Sequence, residues 1–177
     1  MFSGNRNAVV ATSIVILLAT GCTLAESNKG HTGAEMSPAG EARCISTTTA
    51  QQEFGVRATN DARSRAGLPP VRANATLARA AAEQACDMAR QGRMTHAGSS
   101  ASRPGQRVKA LGYRPRITAE NIAAGPYNLE QVLSVWSSSS GHLRNISIPQ
   151  IRDFGIGQAI GPDGRTRYWA AVYGAPR

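Results

Sequence analysis

The feature that most constrains this fold lies near the C-terminus. In Phe154-Gly-Ile-Gly-Gln-Ala-Ile160, bulky apolar side chains recur at Phe154, Ile156 and Ile160, and Gly155, Gly157 and Ala159 stand between them. A period of two is the signature of a β-strand. One face of that strand is almost bare, so either a helix packs very close to it or it forms the floor of a cleft. Pro162-Asp163-Gly164 then signals a hairpin turn. Arg167 to Tyr173 returns as a second strand carrying Tyr168, Trp169, Val172 and Tyr173.

The chain before this hairpin reads as helical. Thr49-Ala-Gln-Gln52 has the form of a capping box, and Phe54, Ala58, Ala62 and Arg65 follow at helical spacing until Gly67 and Pro69-Pro70. A second helix runs from about Ala75 to Gln91. Leu77, Ala81, Ala85 and Met88 form its apolar arc, and Arg79, Glu83, Asp87 and Arg90 share the opposite side. Its many alanines permit close packing, and Gly92 suits a left-handed C-cap. A loop from Arg93 to Arg103 carries His96, and a short helix from Pro104 to Leu111 follows. Ile117 to Ile122 reads as a short strand. Asn128-Leu-Glu-Gln131 is another capping box, opening a helix with Leu129, Val132, Leu133 and Trp136 on one face; Ser137 to Gly141 dissolve it just before His142. Helices first and a hairpin last indicate an α+β class with helices covering a sheet.

The N-terminus reads as a targeting segment. Arg6 precedes a short apolar run, Ala8 to Ala19, which ends in Ala19-Thr20-Gly21-Cys22. Such a run is an export signal in form, too short for a membrane span. The small-small-Cys ending resembles a bacterial lipobox that would lipidate Cys22. A rival cleavage after Thr23-Leu24-Ala25 would release the protein instead. Residues 1–21 are thus expected as an export signal, residues 22–43 as a polar tether holding His31, and residues 44–177 as the domain. The formal charge is +9, nearly all from arginine. It suits anionic surfaces, but the arginines are scattered, and export argues against nucleic acid as a partner. If Cys22 is lipidated, Cys44 and Cys86 remain and form a disulfide in an oxidising compartment. Closing that loop is worth about 4 kcal/mol in the chain-entropy treatment.

The residues with most chemical potential are His96 in Met94-Thr-His-Ala-Gly98, Glu120 in Ala119-Glu-Asn-Ile-Ala123 and His142 in Ser140-Gly-His-Leu-Arg144. Two imidazoles and a carboxylate suit a divalent metal such as zinc, an acid/base cluster, or a purely structural tie between three loops. No His-Glu-x-x-His helix, Gly-x-Ser-x-Gly elbow or P-loop is present.

Several ordered motifs together resemble the CAP superfamily, the SCP-like group of cysteine-rich secretory proteins, antigen 5 and plant pathogenesis-related proteins, and in particular its short exported bacterial members. They are Asn60-Asp-Ala-Arg63, Gly67-Leu68, Leu77 to Met88, His96, Ala119 to Ala123, Trp136 to His142, Arg144-Asn-Ile146, Phe154 to Gly157 and Tyr168-Trp169. The resemblance implies an α-β-α sandwich with a small antiparallel sheet between helical layers. It also implies a cleft in which His96, Glu120 and His142 hold family positions. The fourth position, an acid in many eukaryotic members, is Ser139 here, so the set is one carboxylate short. The implied function is a cell-envelope binding module for a lipid or cell-wall component, acting as a monomer in the envelope, periplasm or medium. The alternatives are a metal-dependent hydrolase or peptidase using the same three residues, and an interaction protein working through the loop Ser99 to Arg107.

Overall fold

The computed structural model describes Met1 and residues 33–101 and 103–177. The expected export signal, Cys22 and His31 lie outside these residues. The elements are β1 (Ala34–Glu35), β2 (Arg43–Ile45), α1 (Thr49–Arg65), β3 (Arg72–Ala73), α2 (Ala75–Gln91), β4 (Arg93–Met94), α3 (Pro104–Ala110), β5 (Pro115–Gly125), α4 (Leu129–Ser138), α5 (Ser140–Ile146), β6 (Asp153–Ile160) and β7 (Arg167–Pro176).

The terminal hairpin is the centre of the sheet, whose order is β2-β6-β7-β5 with β3 also on β6. All its pairings are antiparallel except β3 with β6. The bare face receives α2. A Cβ at Gly155 would overlap the backbone of Leu77 and Ala78, and one at Gly157 that of Ala81 and Ala82. The alternation along the strands then sorts two cores. Ile122, Ala124, Ala159, Tyr168, Ala170 and Val172 pack with α2 and Val108 of α3. Ala119, Ala123, Phe154, Ile156, Trp169, Ala171 and Tyr173 pack with α1, α4 and Ile146 of α5. The result is the expected α-β-α sandwich.

Helix α2 follows its sequence pattern closely. Asn74 caps it by accepting from Thr76 and Leu77, Gly92 closes it in the left-handed conformation, and Leu77, Ala81, Ala85 and Met88 are buried. Cys86 is joined to Cys44, so the disulfide pins β2 to α2. Helix α4 has the Asn128–Gln131 capping box.

Four details differ from expectation. The first capping box is Thr48 with Gln51, one residue earlier than read. The buried face of α1 is Gly55, Thr59, Ala62 and Arg63, whereas Phe54 is exposed with the Arg57 guanidinium over its ring. The strand expected over 117–122 extends to eleven residues, because it pairs with β7 along nearly its whole length. His142 does not follow a helix but lies in the first turn of one, since the chain re-enters helix at Ser140.

The described part of the segment read as a tether, residues 33–43, lies on the domain. β1 pairs with β4, the Ser37 hydroxyl meets the Tyr168 hydroxyl at 2.8 Å, and β2 pairs with β6. Backbone pairing holds this stretch where side-chain periodicity was lacking. No helix among the described residues is long and apolar enough to cross a membrane.

Candidate functional site

The three candidate residues gather at β5, which pairs with β7 along one edge only. Glu120 stands on the α2 side of this strand, opposite Val172. Asn121, next in the chain, faces the α4–α5 layer. His96 approaches from the first side and His142 from the second.

His96 has a fixed backbone and an exposed ring. The preceding carbonyl, Thr95, accepts from Gln84 Nε2 at 2.6 Å, and Thr95 Oγ1 accepts from the Ala97 N–H at 3.1 Å. The His96 carbonyl accepts from Arg107 Nη1 at 3.1 Å. The His96 side chain is 58% exposed, yet its Nδ1 lies 2.8 Å from Glu120 Oε1, and the Glu120 side chain is only 1% exposed. The other carboxylate oxygen, Oε2, takes Arg107 Nη2, whose side chain is also buried. A buried carboxylate needs such a partner. Arg107 and Glu120 therefore form a closed ion pair, and Glu120 uses its second oxygen to orient the imidazole. An ionised carboxylate only accepts, so Nδ1–H donates to Glu120, and in the neutral ring Nε2 is the remaining acceptor.

His142 is held differently. Its ring lies 6.4 Å from the Trp136 ring, centroid to centroid, tilted by 41°. Its Nδ1 is buried with no hydrogen-bond partner. Burial lowers the His142 pKa below its usual value, the Ile122 carbonyl pulls it back in part, and the nearby His96 lowers it further. The neutral imidazole is the favoured form at neutral pH.

Side chains also close the outer edge of β5. Asn145 Nδ2 donates to the Glu120 carbonyl at 3.0 Å and to Asn121 Oδ1 at 2.8 Å. Trp136 Nε1 donates to the Ile122 carbonyl at 3.4 Å. Asn121, wholly buried, donates to the His142 carbonyl and to the Tyr173 hydroxyl, each at 3.3 Å. These bonds tie α5, and with it His142, to the strand that carries Glu120.

The expected metal set is not assembled. Among the described residues, no three of His, Cys, Asp and Glu come together in a way that could hold a metal ion. The physical reason is the Arg107–Glu120 pair. Both oxygens of Glu120 are engaged, and a guanidinium already supplies the positive charge a metal would bring. Ser139, at the position of the missing acid, serves as the boundary between α4 and α5. Arg107 was not among the candidate residues. Its role depends on a contact between α3 and β5 that no local spacing announces. Asn145 and Asn121 lay inside the quoted motifs but carried no assigned part.

Comparisons with known proteins agree with this architecture. A family model described as the cysteine-rich secretory protein family, CAP, matches residues 56–173. An uncharacterized protein of Bacillus subtilis, YkwD, is 30% identical over 63% of this chain. The chain spans only 44% of that relative's length. Among solved structures, an extracellular protein with an SCP domain from Bacillus anthracis aligns with TM-score 0.63 and 22% identity, over 71% of this chain and 40% of that one. An outer surface protein of Borrelia burgdorferi aligns with TM-score 0.65 and 20% identity, over 78% of this chain and 99% of that one. The layered helices, the motif series and the family match converge: this chain belongs to the CAP family of cysteine-rich secretory proteins.

Proposed function

We propose that this chain is an exported binding module of the cell envelope, and that His96 and His142 contact a hydrogen-bonding ligand there. The observation that carries the reading is the exposed His96 ring, held through Nδ1 by a buried Glu120–Arg107 pair. A pre-oriented acceptor costs a ligand no ordering of the protein. His142 Nδ1 adds a second, buried polar group without a partner. The amides and hydroxyls of a cell-wall fragment fit this pair better than the apolar tail of a lipid does. The leader-like N-terminus supports export, and Cys22 supplies a lipid anchor at the membrane. Those relatives whose names read extracellular or outer surface support the same placement.

An imidazole oriented by a buried carboxylate is also the geometry of a general base. Among the described residues, however, the His96 ring bonds only to Glu120, and no hydroxyl or thiol stands against it as a nucleophile. The arrangement favours binding.

The test uses the chain without residues 1–22, so that neither the apolar leader nor an anchor at Cys22 contributes. Soluble wall fragments and vesicles of extracted envelope lipid are titrated against it. Saturable binding of wall fragments, weakened at least tenfold in His96→Ala and again in His142→Ala, is the expected result. Lack of saturable binding to either probe, or binding that survives both substitutions unchanged, would overturn the proposal.

A further inference from the structure

At the opposite end of β5 from Gly125 lies a cleft of about 330 Å³ lined by Lys109, Arg114, Pro115 and Arg177. Three of these four residues are cations, and all three are exposed. Among the described residues none of them takes part in an ion pair; the four ion pairs found there involve Arg72, Arg79, His96 and Arg107. No side-chain carboxylate among the described residues pairs with these cleft-lining cations. Arg116, exposed two residues further along the chain from Arg114, extends the same field.

The walls are built, not loose. The Arg177 N–H donates to the Arg114 carbonyl at 3.0 Å, so the end of β7 is fastened to the start of β5. Pro115 between the two exposed arginines is buried, and Pro176 stands opposite it in the strand pairing. Lys109 is brought in by α3, whose end is held by bonds from Leu111, Gly112 and Tyr113 back into its last turn. Tyr113 is then locked by its hydroxyl on Asp153 at 2.7 Å. Two segments distant in sequence, the α3–β5 junction with Lys109 and Arg114 and the end of β7 with Arg177, thus line one cleft. The cleft is distinct from the His96 site, since Glu120 lies five residues along the strand, roughly 17 Å away at strand rise.

We propose that this cleft is a binding site for a phosphate group. A carboxylate offers two oxygens in one plane and is satisfied by a single guanidinium fork. A phosphate offers oxygens in several directions and suits two arginines and a lysine lining one cleft from two segments of the chain. The same chemistry is found in a phospholipid headgroup and in a free phosphate.

The experiment uses the chain without residues 1–22 and two probes: inorganic pyrophosphate, and vesicles of phosphatidylcholine with and without phosphatidylglycerol. The site variant is Lys109→Ala/Arg114→Ala/Arg177→Ala. The control, Arg57→Ala/Arg65→Ala/Arg165→Ala, removes the same charge elsewhere on the surface. The expected result is saturable binding to at least one probe, reduced tenfold or more in the site variant and less than about twofold in the control. Pyrophosphate that competes with the anionic vesicles assigns free phosphate chemistry to the cleft. Vesicle binding that pyrophosphate leaves intact assigns the headgroup. Equal losses in the two triple variants would reduce the effect to net charge and overturn the proposal, as would no binding of either probe by the parent chain. His96→Ala leaves this binding unchanged, which separates it from the wall-fragment reading.

Discussion

Arg63 offers the sharpest test of how the fold holds its site. It is 0% exposed and has no carboxylate partner among the described residues. Its guanidinium donates instead to four carbonyls: Nε to Pro69 at 2.7 Å, Nη1 to Ile146 at 2.7 Å and Ile148 at 3.0 Å, and Nη2 to Ile151 at 3.3 Å. Burial lowers its pKa, and the positive charge of Arg152 lowers it further. Arg63→Met keeps much of the side-chain volume and removes all the donors. Two of the carbonyls keep a partner, because Ile148 also accepts from the Ile151 N–H and Ile151 from Arg152 Nη1. Pro69 and Ile146 do not. The buried Ile146 carbonyl left bare costs about 1–3 kcal/mol, whereas the carbonyl of the exposed Pro69 can turn to water. The desolvation of the guanidinium, which the variant no longer bears, offsets part of that cost. A net loss of about 2 kcal/mol is expected, a sizeable share of a typical total of about 5–15 kcal/mol. Arg63→Lys keeps the charge but not the planar fork, and should lose about half as much. Urea unfolding followed through the buried Trp136 and Trp169 measures both. Because Ile146 ends the helix that carries His142, ligand affinity should fall with stability in Arg63→Met. A loss below about 1 kcal/mol in Arg63→Met would refute the view that these carbonyls depend on Arg63.

Gly157→Val should be more damaging still, because its side chain would displace the α2 backbone; a loss above about 3 kcal/mol or failure to fold, read by circular dichroism, is expected. His142 predicts a pH dependence. Its folded pKa lies below the unfolded one, so the unfolded chain binds the extra proton and stability is lost as pH falls through the usual histidine range. The decline in thermal midpoint between about pH 7.5 and 5.5 should be shallower in His142→Gln. Removing the disulfide by Cys44→Ser/Cys86→Ser should cost about 3–4 kcal/mol, and amide exchange should quicken first in β2, which the bond pins.

The helices and hairpin were legible wherever one residue type dominated one face. The stretch from Leu77 to Met88 read correctly because its apolar arc is narrow and its opposite side is charged. Helix α1 misled because its largest apolar residue, Phe54, points outward, while its buried face is built from Gly55, Thr59, Ala62 and the cation Arg63. Hydropathy assigns such a face to solvent. The site was legible in part for a related reason. His96, Glu120 and His142 stand out as residue types within recognisable motifs. Arg107 looks like any surface arginine until α3 carries it against β5. Its burial beside Glu120 turns a set of metal-ligand candidates into a hydrogen-bonding pair.

The outer margin of β6 is built in pieces. β3 covers Asp153 and Phe154, and β2 covers Gln158 to Ile160. Between them no described strand pairs with Ile156 on that side. The side-chain amide of Gln52 does so instead, accepting from the Ile156 N–H at 3.0 Å and donating to its carbonyl at 2.6 Å. Thr47 Oγ1 donates to the same carbonyl at 2.9 Å. A side chain thus stands in for a stretch of backbone, and the margin presents only strands of three and two residues to solvent. Long, regular margins are the templates on which chains stack into fibrils. Gln52 interrupts that template, so along this margin a neighbouring copy meets no continuous strand to extend.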